Sequence, residues 1–154
     1  MVARLPAVIG DMWFNARPLA GEDLAGKVVL IEFWTYSCVN CQRTLPHVRE
    51  WWKKYKDESF LIIGVHTPEF EFEKNPANVE AAIKDLGVEW PVVLDNDFTN
   101  WNNFANRYWP TLYLADGAGR IVYSHIGEGA YDMTEAEIGK LLGESLKDFS
   151  GITL

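Results

Sequence analysis

The chain has 154 residues, 48% of them hydrophobic and 14% aromatic, and carries a formal charge of −8 from 14 basic and 22 acidic side chains. That length and apolar content suit one packed domain and exclude an intrinsically disordered chain. The negative charge opposes binding to nucleic acid or an anionic membrane surface, and no apolar run approaches the roughly 20 residues of a spanning helix.

The opening residues, Met1 to Pro6, lack the hydrophobic stretch of a signal peptide. The chain is therefore expected to be cytosolic, or to work outside the cytoplasm with its targeting segment or anchor lying beyond these residues. Lys27 to Trp34 is short, β-branched and almost continuously apolar, as in a strand covered on both faces. Next, Cys38, Cys41, Leu45, Val48, Trp52 and Tyr55 recur at spacings of three and four, which predicts a helix to about Tyr55, kinked at Pro46. Phe60 to Val65 reads as a second buried strand. His66 to Asn75, with Pro68 and three glutamates, reads as an exposed loop, and its alternating acids and aromatics over Pro68 to Glu73 read as a solvated segment with one side tucked in, or alternatively as a docking site for a partner.

A helix is expected over Ala77 to Leu86, stopped by Gly87, followed by a strand over Trp90 to Leu94. Asp95-Asn96-Asp97 opens a helix carrying Trp101, Phe104 and Tyr108. Thr111 to Leu114 and Arg120 to Ile126, joined through Asp116-Gly117, predict an antiparallel hairpin. Thr134 and Glu137 read as a capping box for a closing helix lined by Ile138, Leu141, Leu142 and Leu146. Parallel strands followed by a hairpin and a helix make the class α/β, with a mixed sheet in a single domain over residues 1–154.

Cys38 and Cys41 are the only cysteines, so a disulfide framework and a four-cysteine zinc site are excluded. Cys38 falls at the start of a helix, where unpaired N–H groups and the helix dipole favour a thiolate. Cys41 lies one turn deeper. The pair suits two-step exchange, in which Cys38 attacks a disulfide and Cys41 resolves the mixed disulfide. Glu32 sits inside a strand that reads as wholly buried, six residues before Cys38. A carboxyl there is expected to have a raised pKa and to relay the proton that Cys41 must lose; the alternative reading is a strand-end glutamate reaching solvent.

The segment Trp34-Thr35-Tyr36-Ser37-Cys38-Val39-Asn40-Cys41, with Glu32 before it and Pro46 after it, resembles the active-site region of the thioredoxin superfamily. Pro18-Leu19 and Leu24 to Ile31 resemble the lead-in of the thiol–disulfide oxidoreductases related to TlpA and ResA. The Cys-Val-Asn-Cys core and its aromatic-rich helix are similar to the thioredoxin-like domain of the bacterial DipZ proteins. The resemblance covers about Ala7 to Leu142. It implies a thioredoxin fold, a central mixed sheet flanked by helices, with an inserted helix–strand unit at about residues 67–94. It also implies a cis-proline at Pro110 and substrate contacts from Trp109, Pro110 and Trp34. The partners it implies are a disulfide-containing protein substrate and a thiol–disulfide electron donor, met by a monomer outside the cytoplasm. No metal or organic cofactor is implied, because the Cys38–Cys41 pair carries the electrons. Val39 and Asn40 depart from the pairs found between the cysteines of thioredoxins and strong oxidants, and Trp109 is bulkier than the usual residue before the cis-proline.

Rival readings rest on fewer residues. Zinc held by Cys38, Cys41 and two of His47, His66 and His125 lacks a second closely spaced ligand pair. A peroxiredoxin-type peroxidase would use Thr35, three residues before Cys38, but has Ile31 where that motif needs proline. A non-catalytic binding module would use exposed tryptophans. Trp51 and Trp109 are the two expected near the surface, whereas Trp34, Trp52 and Trp101 fall on core positions.

Overall fold

The computed structural model describes residues 3–150, with side chains described through residue 143. Its eleven main elements run β1 (Trp13–Phe14), α1 (Gly21–Leu24), β2 (Val28–Trp34), α2 (Val39–Tyr55), β3 (Phe60–His66), α3 (Pro76–Leu86), β4 (Val92–Leu94), α4 (Thr99–Asn103), β5 (Thr111–Ala115), β6 (Ile121–Ile126) and α5 (Tyr131–Ser150), with a 3-10 turn at Glu71–Lys74. The strands form one sheet in the order β1-β4-β3-β2-β5-β6. β2 pairs parallel with β3 and β3 with β4, whereas β5, β6 and β1 run antiparallel to their neighbours.

Every residue of β2 and β3 is buried, as expected for central strands covered on both faces. Alternation sends Val28, Leu30 and Trp34 into one core, with Leu45, Val48, Ile138 and Leu142. Val29, Ile31 and Phe33 enter a second, with Trp101 and Phe104. The β5–β6 hairpin forms as predicted, and Asp116 closes its turn by accepting the N–H groups of Ala118 and Arg120. Gly87 ends α3 at φ 70°, a left-handed conformation that suits glycine.

Four expectations are corrected. On α2 the buried tryptophan is Trp51, 2% exposed, and Trp52 is only partly buried. The stripe beyond Val48 can continue at three or four residues, and the packing of Tyr131 near Trp51, with ring centroids 6.5 Å apart, draws in the earlier position. The closing helix starts at Tyr131, one turn before the anticipated cap. Thr134 is therefore buried within it, 2.7 Å from the Tyr123 hydroxyl. α4 spans five residues only, and Tyr108 lies beyond it, exposed, because Ala105 takes φ 53° directly after the helix. His66 to Asn75 is not simply a solvated loop, since it begins as the last residue of β3 and holds the buried Glu73. Leu146 lies outside the residues whose side chains are described. β1 and α1, two and four residues long, carry too little periodicity to be read beforehand.

One close approach shapes the sheet beneath the cysteines. Gly64 of β3 pairs in register with Glu32, and a Cβ at Gly64 would lie 2.9 Å from Trp34 Nε1 and 3.3 Å from Trp90 Nε1. Gly64→Ala should therefore displace both indoles and destabilise the fold by about 1–3 kcal/mol. Chemical denaturation, together with the near-ultraviolet circular dichroism of the tryptophans, checks this; unchanged spectra and stability would refute it.

Candidate functional site

The turn between β2 and α2 presents the two cysteines, both free thiols. Cys38 is the N-cap of α2, and its Sγ accepts the Cys41 N–H at 3.3 Å. A sulfur in that position lies where the helix leaves its first N–H groups unpaired. The Cys38 pKa is pulled down to about 7 by the hydrogen bond from the Cys41 side chain, with help from the backbone N–H groups of Cys41 and Asn40. Partial burial and the negative charge of Glu69 oppose the shift. Cys41 is wholly buried and moves the other way, chiefly through burial and then through its bond to Cys38. One thiol of the pair is poised to ionise while its neighbour keeps its proton.

Glu32 is 0% exposed, in the middle of β2 between Gly64 of β3 and Leu112 of β5. Its Oε1 accepts the Trp90 indole N–H at 3.2 Å, and Oε2 has no partner among the described residues. Burial lifts its pKa to about 8, only partly offset by the Trp90 bond. The Glu32 charge also raises the Cys41 pKa, so the two groups sense one another.

The Trp109–Pro110 peptide bond is cis, and Pro110 is buried immediately before β5. Trp109 is half-buried; its indole N–H donates to the Thr67 carbonyl at 2.8 Å, and its ring lies 4.1 Å from that of Trp101. Trp34 differs from the expectation of a substrate contact. Its side chain is entirely buried and packs edge-on to His66 at 5.0 Å, so it supports the site from below.

Two residues at the site were missed from sequence. Glu73 is buried and accepts hydrogen bonds from the Ser37 hydroxyl at 2.5 Å, the Ser37 N–H at 3.3 Å, and the N–H groups of Glu69 and Phe70 at 2.7 and 2.9 Å. Burial disfavours its charge, but bonds from Ser37, Phe70, Thr35 and Glu69 outweigh that and hold the pKa below the usual carboxylate value. This carboxylate ties the turn leading into Cys38 to the segment after β3. The readable signal was Glu73 three residues after Phe70, the spacing at which an acid bonds back to the start of a helical turn. His66, buried at the end of β3, accepts the Tyr36 N–H at Nε2 and stacks on the Tyr36 ring at 5.7 Å. Burial lowers its pKa to about 4, so it is neutral.

The three histidines lie apart. His66 is beneath the turn, His47 stacks on Tyr131, and His125 is on β6. Among the described residues no group of three or more His, Cys, Asp or Glu is placed to hold a metal ion, and no helix is long and apolar enough to cross a membrane.

Comparison with known proteins agrees with this geometry. The family model described as the AhpC/TSA family matches residues 14–124. DipZ of Mycobacterium tuberculosis is 47% identical over 136 residues, which are 86% of this chain and 20% of that protein. The chain thus spans about a fifth of the DipZ proteins it matches. The thiol–disulfide oxidoreductase YkuV of Bacillus subtilis is 27% identical over 142 residues, covering 92% of this chain and 95% of YkuV. The solution structure of a thioredoxin-like protein in the oxidized form superimposes with a TM-score of 0.82 at 29% identity, covering 92% of this chain and 95% of the other. The fold is thioredoxin-like, with cysteines spaced as a Cys-x-x-Cys pair.

Two pH responses follow. Alkylation of Cys38 by iodoacetamide should rise through a midpoint near pH 7 while Cys41 stays unreactive, read by peptide mass spectrometry; a midpoint near 9 would count against the lowered pKa. For Glu32 the folded pKa lies above the unfolded value, so its stabilising contribution is complete below about pH 4.5 and lost as pH rises through about 8. Glu32→Gln should consequently gain stability relative to the parent between pH 5 and 9, by about 1.4 kcal/mol for each unit of the shift. Urea denaturation across that range measures it, and parallel profiles would refute it.

Proposed function

The chain belongs to the AhpC/TSA family, and from that premise we propose that it is a thiol–disulfide oxidoreductase acting on protein disulfides, as a reductant. The observation that carries this is the asymmetry of its two thiols, with Cys38 capping α2 and favoured as thiolate and Cys41 buried one turn on. The Cys38 thiolate attacks one sulfur of the substrate disulfide; that S–S bond breaks, a mixed disulfide forms, and the first substrate thiol leaves. Cys41 then loses its proton and attacks Cys38 Sγ, releasing the second substrate thiol and leaving a Cys38–Cys41 disulfide. Two electrons have passed to the substrate, and a dithiol donor returns them.

Glu32 is assigned the proton step. It is the buried base whose charge Cys41 senses, and a pKa of about 8 leaves it partly ionised at neutral pH and able to exchange a proton in either direction. Trp109 and Pro110 are assigned to substrate positioning. We place the reaction outside the cytoplasm, on a monomer, where protein disulfides persist as substrates. A peroxidase reading is less well supported: Thr35 is buried, and its hydroxyl lies 3.4 Å from His66 Nε2.

Reduction of insulin with dithiothreitol as donor tests the proposal. Cys38→Ser should abolish turnover, Cys41→Ser should accumulate the mixed disulfide, and Glu32→Gln should slow resolution by about one to two orders of magnitude at pH 7. Insulin left intact by the parent protein would overturn the assignment. A Cys38–Cys41 potential of about −270 mV supports a reductant, and one of about −120 mV would make it an oxidant.

A further inference from the structure

The segment after β3 does more than close a connection. Phe70 and Phe72 are 51% and 53% exposed, and their rings stack at 5.7 Å with an interplanar angle of 6°. Phe72 faces Tyr36 at 6.2 Å, and the Tyr36 hydroxyl donates to the Phe72 carbonyl at 3.4 Å. Tyr36 lies two residues before Cys38, and Val39, 56% exposed, lies directly after it. The cysteine turn and this segment thus present neighbouring aromatic and aliphatic surface.

That surface is held in place from both sides. Glu73 clamps Ser37 and the N–H groups of Glu69 and Phe70, and the Trp109 indole, next to Pro110, bonds the Thr67 carbonyl where the segment begins. Two phenylalanines kept half in water by a fixed scaffold cost free energy that a partner's apolar side chains would recover. Interleaved with them, Glu69 and Glu71 are exposed acids on a chain of charge −8; Glu71 pairs with Lys74 at 3.2 Å with its side chain still 88% exposed, and Glu69 makes no ion pair among the described residues. Their complement is positive.

We propose that Phe70 and Phe72, with Tyr36, Val39 and the Glu69–Glu71 rim, form a specificity wall for one class of substrate: an extended protein segment whose disulfide-bonded cysteine is flanked by apolar residues and by lysine or arginine. This rests on the exchange reading above and adds the substrate's chemistry to it. The wall touches the flanking residues, while Cys38 attacks the sulfur.

The test uses the full chain, reduced beforehand, and two decapeptides whose single cysteine is disulfide-bonded to 2-nitro-5-thiobenzoate. One peptide flanks its cysteine with leucine and arginine, the other with serine and glutamate. Each turnover converts the protein dithiol to its disulfide and releases one peptide thiol and one coloured thiolate. Bis(2-hydroxyethyl) disulfide, too small to reach the wall, serves as reference. The parent protein should prefer the leucine–arginine peptide by about tenfold in the second-order rate constant of this single turnover. Phe70→Ser with Phe72→Ser should lower the ratio of that peptide's rate to the reference rate about tenfold. Glu69→Gln with Glu71→Gln should narrow the gap between the two peptides.

Equal rates for the two peptides in the parent protein, or a ratio unmoved by the phenylalanine substitutions, would overturn the specificity wall while leaving the exchange reading standing. A parent protein that reduces neither peptide nor the reference would overturn both. All four substituted side chains are exposed, so the variants are expected to fold.

Discussion

Everything the site can do depends on one sulfur standing where a helix lacks partners for its first amides. Cys38 completes α2 as its N-cap, so the stabilisation that a serine or aspartate would ordinarily give the helix end is supplied by a thiol. The helix gains a cap, and the sulfur gains donors that favour its negative charge. Cys41, covered by the core and bonded back to that sulfur, meets the opposite environment on the same turn. The difference between the two thiols arises from their depth in the fold, since both are the same residue type three positions apart.

The layer beneath follows the same logic of uneven solvation. A carboxyl in a seven-residue strand with no exposed position is costly when charged, and Trp90 satisfies one of its oxygens only. Such a group survives by holding its proton more tightly. Room for it comes from Gly64 across the ladder, where any larger residue would crowd two indoles. The sheet register that pairs Glu32 with Gly64 is therefore part of the site.

Much of this was legible beforehand. The apolar runs marked β2 and β3, the three-and-four spacing marked α2, and the positions of Cys38, Cys41 and Glu32 marked where two free thiols at a helix start and a buried carboxyl lie, because each depends on neighbours close in the chain. Pro110 was legible through resemblance and through its place just before a strand, since the dipeptide Trp-Pro by itself does not set the isomer. Glu73 was legible only in part, since its spacing from Phe70 marks an acid that bonds back to the start of a turn but not its burial against Ser37. Its burial depends on Ser37, 36 residues away, and a row of alternating acids and aromatics looks the same whether one acid turns inward or all face water. Trp51 and Trp52 posed a similar ambiguity: helical period allows either, and the choice is made by α5 arriving from the far end of the chain.

The tie between Glu73 and Ser37 makes two separated stretches of chain a single mechanical unit. Lengthening the stretch around Phe70 by even one residue would swing the carboxylate away from the serine, so insertions here cannot be absorbed silently as they are in most surface connections. Transplanting the Cys-Val-Asn-Cys turn to another scaffold would require carrying the companion stretch along with it. The two are one cassette, joined through a single carboxylate.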